Sequence, residues 1–248
     1  MIPHIPWYIT LTILVTQPLI ALAIWRIAAS GASRPLRLGL GVALAAWLGL
    51  ALFLAPAPES LAGRDLFYVD PLIPSFALAA FTVAILGFAL FPAVRQAVAA
   101  ASLPALIGVQ VYRVLGVMFV VLLAQGQLPG HFAEPAGWGD IFVGLTAVPV
   151  ALALGRRVAG ARTLAVAWNV LGLLDLVVAV GMGTGFLAPY LMPGVGSRLG
   201  AAAAMGVFPL ILVPTFVVPL SFILHVIALV RLRRAAPAGA RLMARTAV

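Results

Sequence analysis

The chain has 248 residues, 64% of them apolar and 8% charged. Soluble domains carry about 25% charged residues, so this composition and a mean hydropathy of +1.19 exclude a sizeable soluble domain. The net charge is +9, with no cysteine and no lysine, which excludes disulfides, thiolate catalysis, Cys-based metal centres and a retinal Schiff base.

Seven stretches approach the ~20 residues that a 30 Å hydrocarbon layer requires: residues 7–25, 38–55, 72–91, 103–123, 138–154, 163–183 and 203–230. The expected fold is an all-α integral membrane protein, a bundle of seven transmembrane helices within residues 1–230, followed by a basic, flexible cytoplasmic tail over residues 231–248. Continuous apolar runs, rather than alternating ones, exclude a β-barrel. Trp7 and Trp25 bracket the first span, ~27 Å apart at 1.5 Å per residue, as interfacial anchors do. Proline and glycine punctuate the connections, as at Gly31–Pro35, Pro56–Pro58, Pro92, Pro104 and Pro189–Gly196.

The arginines alternate with the connections. Arg26, Arg34, Arg37, Arg95, Arg156, Arg157, Arg162 and the tail arginines fall on one side with no acid, whereas Arg64 and Arg198 share the other with Glu59, Asp65, Asp70 and Glu134. The positive-inside rule puts the N-terminus outside and the C-terminus in the cytoplasm, which needs an odd number of spans. This placement points to lipid headgroups, not nucleic acid. The absence of lysine, with abundant Ala, Gly and Leu, fits a GC-rich bacterial genome and hence a bacterial inner membrane. Residues 1–7 have no basic region of a cleavable leader, so the first span is expected to be a retained helix.

Polar residues inside the spans carry the functional expectation. In the first, Gln17 precedes Pro18 at mid-span. In the fourth, Arg113 lies ~15 Å along, with Gln110 three residues earlier on the same face. In the sixth, Asp175 lies ~18 Å along, at nearly the same depth as Arg113. Isolated charges are expensive in hydrocarbon, so Arg113 and Asp175 are expected to pair, lining a pocket or clasping two helices. Thr215, beside Pro214, is expected in the same mid-membrane cavity. Trp168 shares a face with Asp175, whereas Asn169 is about 120° away and need not act with it. Pro209, Pro214 and Pro219 predict a kinked seventh helix over residues 203–230, with His225 near its inner end.

Between the fourth and fifth spans, residues 127–140 read as a tight, partly re-entrant outer loop. It holds His131, Glu134 and a Trp138 anchor, with Asp140 capping a helix start just inside the membrane. His131, Glu134 and Asp140 are chemically competent as metal ligands or as an acid/base set, although His-x-x-Glu alone is a weak signal. No cofactor is expected, with haem or a metal at the outer face as a lesser reading built on His4 and His131.

Three functions follow from this. The first is binding or moving a small solute or proton through a cavity formed by Arg113, Asp175, Gln110, Gln17 and Thr215. The second is an outer-face membrane enzyme using His131, Glu134 and Asp140. The third is a non-catalytic membrane subunit or sensor. No internal repeat, phosphate loop or nucleophile elbow is found.

Overall fold

Seven helices among the described residues are long and apolar enough to cross a membrane. The computed structural model describes residues 4–64, 68–192, 194 and 202–234. In chain order come α1 (Trp7–Ala28), α2 (Arg34–Leu54), α3 (Leu72–Leu90) and a short α4 (Pro92–Ala100). The fourth long segment joins α5 (Leu103–Gly108), a 3₁₀ stretch (Val109–Gly116) and α6 (Val117–Ala124). Then come α7 (Gly130–Gly155), α8 (Ala161–Gly183), the single turn α9 (Ala188–Leu191), and a π-type turn (Val213–Val217) that runs into α10 (Val218–Arg234). No strand occurs among the described residues.

α7 is the central post. It packs against α5, the 3₁₀ stretch, α6 and α8, and α10 closes the other side of α8. Its packed face reads Ala133, Gly137, Gly144, Ala147 and Ala151, a seam of small residues in a four- and three-residue rhythm. Small side chains let helix backbones approach closely, which is how helices associate where burial from water supplies no drive. Gly144 shows the effect: a Cβ there would fall on the backbone nitrogen of Val114. α2 lies outside this core, against α1 and the π-type turn.

The ends of the bundle are built from local caps. Asp70 accepts from the backbone N–H of Leu72 at 2.9 Å at the start of α3. Arg95 donates to the last carbonyls of α3, Phe88 at 2.9 Å and Ala89 at 2.8 Å, where cationic donors complement the helix dipole.

Two boundaries differ from the sequence expectation, and both move the polar residues. Residues 127–140 are not a re-entrant loop: α7 begins at Gly130, eight residues before the predicted start. Pro129 supplies the extended residue before the helix, and Pro135 removes only one intrahelical bond, which a 26-residue helix absorbs. Asp140 is therefore ~15 Å into α7 and caps nothing. The seventh span starts at Val213, not Ala203. Pro209 lies outside it, Pro214 sits in the π-type turn, and Pro219 follows directly after that turn, where the helix continues into α10. Two of the three prolines, Pro214 and Pro219, therefore stay within the seventh span, beside its π-type irregularity. His225 moves from the inner end to the middle, ~18 Å past Val213. The helix also continues to Arg234, into the expected tail, whose residues 235–248 lie outside the described residues.

Candidate functional site

Four helical segments bring one polar residue each to a common level between apolar layers. On one side is a cluster with Leu122, Phe119, Phe132 and Leu210. On the other are Ile107, Val143, Ala147 and Trp168. The 3₁₀ stretch matters here. With three residues per turn, residues i and i+3 eclipse, so Gln110, Arg113 and Gly116 form one straight buried row facing α7.

Arg113 is the hub and is 3% exposed. Its Nε donates to Oδ1 of Asp140 at 2.6 Å. Its Nη2 donates to Oδ2 of Asp175. Its Nη1 donates to the carbonyl of Gly172 at 3.3 Å and meets Nε2 of His225 at 3.0 Å. A guanidinium has five donors and no acceptor, so it must donate to Nε2, and the His225 proton sits on Nδ1. That N–H donates to Oδ1 of Asn169 at 2.9 Å, while Nδ2 of Asn169 donates to the carbonyl of Ala165 at 2.7 Å. The donor directions are thus fixed along the chain Arg113–His225–Asn169–Ala165.

The charges do not balance. One guanidinium meets two carboxylates and a neutral imidazole, so the cluster has one acid more than its base can neutralise and sums to −1 with both carboxylates ionised. His225 is fully buried and packs against Trp168, with ring centroids 5.2 Å apart and the planes tilted by 49°. Gly172 makes room for it, because a Cβ at that position would fall on the imidazole. The two carboxylates are less enclosed, with 19% of the Asp140 side chain and 14% of the Asp175 side chain exposed.

Asp140 borders two cavities. One, of about 70 Å³, lies toward the start of α7 and is lined by Tyr68, Asp70, Phe132, Thr184 and Met205. The other, of about 40 Å³, lies deeper and is lined by Gln17, Tyr112, Arg113, Met118 and Ser221. Within the first, Tyr68 donates to Oδ2 of Asp70 at 3.1 Å, and the Arg64 guanidinium lies 4.5 Å over the Tyr68 ring. Partial burial, and then the Asp70 charge, push the Tyr68 phenol above its ordinary pKa, so it stays a donor.

The sequence-predicted residues are placed as follows. Arg113 and Asp175 touch, as paired charges at one depth should. Gln17 lines the deeper cavity, and Gln110 is buried one 3₁₀ turn from Arg113. Thr215 does not line either cavity: its hydroxyl bonds back to the carbonyl of Ile211 at 2.6 Å. Asn169, read as separate from Asp175, is joined to it through His225 and Arg113. His131, Glu134 and Trp138 lie on the first turns of α7, Glu134 and Trp138 exposed. Asp140 is nine residues, ~13 Å, further along than His131, so the proposed outer triad is not assembled. Among the described residues no three His, Asp or Glu side chains are grouped as a metal site. His4 engages Gln127 through its backbone N–H at 2.7 Å.

Sequence reasoning missed the roles of Asp140, His225 and Asn169. The signal for Asp140 was present: it falls in step with the small-residue seam of Ala133, Gly137, Gly144 and Ala147.

Among the described residues, fold and site together define an all-helical protein with seven helices long and apolar enough to cross a membrane and a buried Arg–Asp–Asp–His cluster at their middle. Over residues 72–233 the chain matches the family described as Domain of unknown function (DUF8737), and it belongs to that family. The matched stretch contains all four cluster residues, whereas Gln17 on α1 precedes it. No curated protein and no solved structure matches the chain.

Proposed function

We propose that this chain is a multi-pass protein of a bacterial inner membrane, N-terminus outside, that binds and passes a small solute or proton through the polar site around Asp140. Lipid is the natural partner of its outer surface. α2 and α3 bury only 6% and 11% of their apolar windows in the bundle, and exposed Phe53, Leu78, Val83 and Ile85 suit hydrocarbon. The arginine distribution puts the start of α7 outside, so the larger cavity opens toward the exterior end of the bundle.

One observation carries the reading. Asp140 lines both cavities while it is hydrogen-bonded to Arg113, so the same carboxylate meets the outer cavity, the deeper cavity and the fixed positive charge. Ionisable groups inside a membrane mark ion and proton pathways. A clasp serving only to fix two helices would need one acid for one base, and this site has two.

The test is proton uptake by vesicles that hold the purified protein and a trapped pH dye, driven by an imposed potassium diffusion potential. Uptake above that of empty vesicles is expected, and Asp140→Asn should abolish the excess. Equal uptake in protein-containing and empty vesicles would remove the proton reading, and unchanged uptake in Asp140→Asn would remove the site.

A further inference from the structure

We propose that the deeper cavity beside Asp140 is a binding site for a small monovalent cation held by oxygen atoms, either sodium or hydronium. This deepens the functional reading above and rests on it. The argument starts from hydrogen-bond polarity. The Ser221 hydroxyl donates to the carbonyl of Val217 at 2.9 Å. Its single proton is thereby committed, so in the 2.7 Å contact with Tyr112 the phenol is the donor. Both hydroxyl protons are used within the protein, and what Tyr112 and Ser221 still offer the cavity is lone pairs.

The other polar wall points the same way. Gln17 is 3% exposed, and its Oε1 has no hydrogen-bond partner. A buried carbonyl oxygen without a donor is a standing cost of about 1–3 kcal/mol, which a ligand that donates or carries positive charge would relieve. The Asp140 carboxylate spends one oxygen on Arg113 and retains further lone pairs. The guanidinium, the cation on the wall, is turned to Asp140, Asp175, Gly172 and His225. The Gln17 amide nitrogen is the one uncharged donor left on this wall, and the rest of its unfilled capacity, on Tyr112, Ser221, Asp140 and Gln17 Oε1, is acceptor capacity.

Size and charge narrow the ligand. A volume of about 40 Å³ holds a few water-sized bodies and no organic solute. The charged and titratable groups around the site are Arg113 from the 3₁₀ stretch, Asp140 from α7, Asp175 from α8 and His225 from α10. Tyr112 and the uncharged Gln17 complete it. With both carboxylates ionised and the imidazole neutral their sum is −1, which a single monovalent cation neutralises. A divalent ion would overshoot, and an anion would meet a like charge.

The experiment uses the full chain in mild detergent, with thermal unfolding followed by tryptophan fluorescence. Sodium, potassium and N-methylglucamine chlorides are compared at equal ionic strength, at pH 8 and pH 5.5. Sodium is expected to raise Tm over N-methylglucamine, on the order of 5 °C at ~100-fold excess over Kd. The rise should shrink at pH 5.5, where protons compete. Gln17→Leu, which removes the orphaned carbonyl, should weaken the sodium response about tenfold or more. If sodium is silent but Gln17→Leu slows vesicle proton uptake, hydronium is the occupant. A sodium shift retained in Gln17→Leu overturns the proposal. So does a silent sodium arm with unchanged proton uptake in that variant, and in that case Asp140-dependent uptake would still leave the broader functional reading standing.

Discussion

Arg113→Gln and Asp175→Asn should have very unequal costs, although each removes one charge from the same ion pair. Arg113 neutralises one of two carboxylates and also donates to His225 and Gly172. The Arg113→Gln variant would leave two carboxylates without their cation in a site where the arginine side chain is 2% exposed. Removing one partner of a buried pair typically costs ~3–5 kcal/mol, because the remaining charge stays desolvated. The Asp175→Asn variant keeps the shape and an oxygen to accept from Nη2 of Arg113, and it takes the cluster from −1 to zero. Weakening that one charge-assisted bond costs about 1 kcal/mol, offset by the loss of excess negative charge. The expected gap is therefore ~3 kcal/mol, or on the order of 6–12 °C in Tm for a chain of this size. Thermal unfolding in mild detergent, read by tryptophan fluorescence, measures it. The double variant Arg113→Gln/Asp175→Asn returns the site to −1 and should recover part of the loss, a coupling that a double-mutant cycle isolates. If the two single variants unfold within about 1 kcal/mol of each other, the charge accounting on which the site rests is wrong.

Further expectations concern the groups around Arg113. Asn169→Leu takes the acceptor from the buried Nδ1–H of His225 and should cost ~1–3 kcal/mol, while the same change in a His225→Leu background should cost much less. Gly172→Ala drives a methyl into the imidazole, which is held at both nitrogens, and should destabilise by ~1–3 kcal/mol. Gly49→Ala on the exposed face of α2 meets nothing within 4 Å and should be neutral or stabilising by up to about 1 kcal/mol. The same unfolding measurement ranks all three, and a Gly49 variant as damaged as the Gly172 one would mean that close approach is not what Gly172 provides. Together with the vesicle and cation assays above, these separate a site that is used from one that only holds helices together.

The number of long apolar helices was legible because hydropathy over some twenty residues needs no tertiary information. So was the pairing of Arg113 with Asp175, since two unlike charges at one depth in apolar helices have strong reason to meet. The remaining members of the cluster were obscured by two boundary errors. Pro129, Gly130, Pro135 and Gly137 carry loop chemistry in the sequence, which delays the expected start of α7 and puts Asp140 at its mouth. Ala203–Pro209 carries the hydropathy of a helix, which advances the expected start of the seventh span and puts His225 at its far end. Helix boundaries set depth at 1.5 Å per residue, and an error of eight or ten residues moves a side chain by ~12–15 Å, half the thickness of a bilayer core.

By itself, then, the amino-acid order determined that the described residues form seven long apolar helices and that a guanidinium and a carboxylate lie buried among them. Apolar length and the scarcity of charge are properties of each segment alone. The fold decided which further groups join that pair. The 3₁₀ turn aligns Gln110 with Arg113, the small-residue seam of α7 carries Asp140 to the guanidinium, and Gly172 admits the His225 ring. Those contacts depend on how closely backbones approach and on how each helix is rotated. Both are set by side-chain volumes facing one another from distant parts of the chain, which no single segment contains.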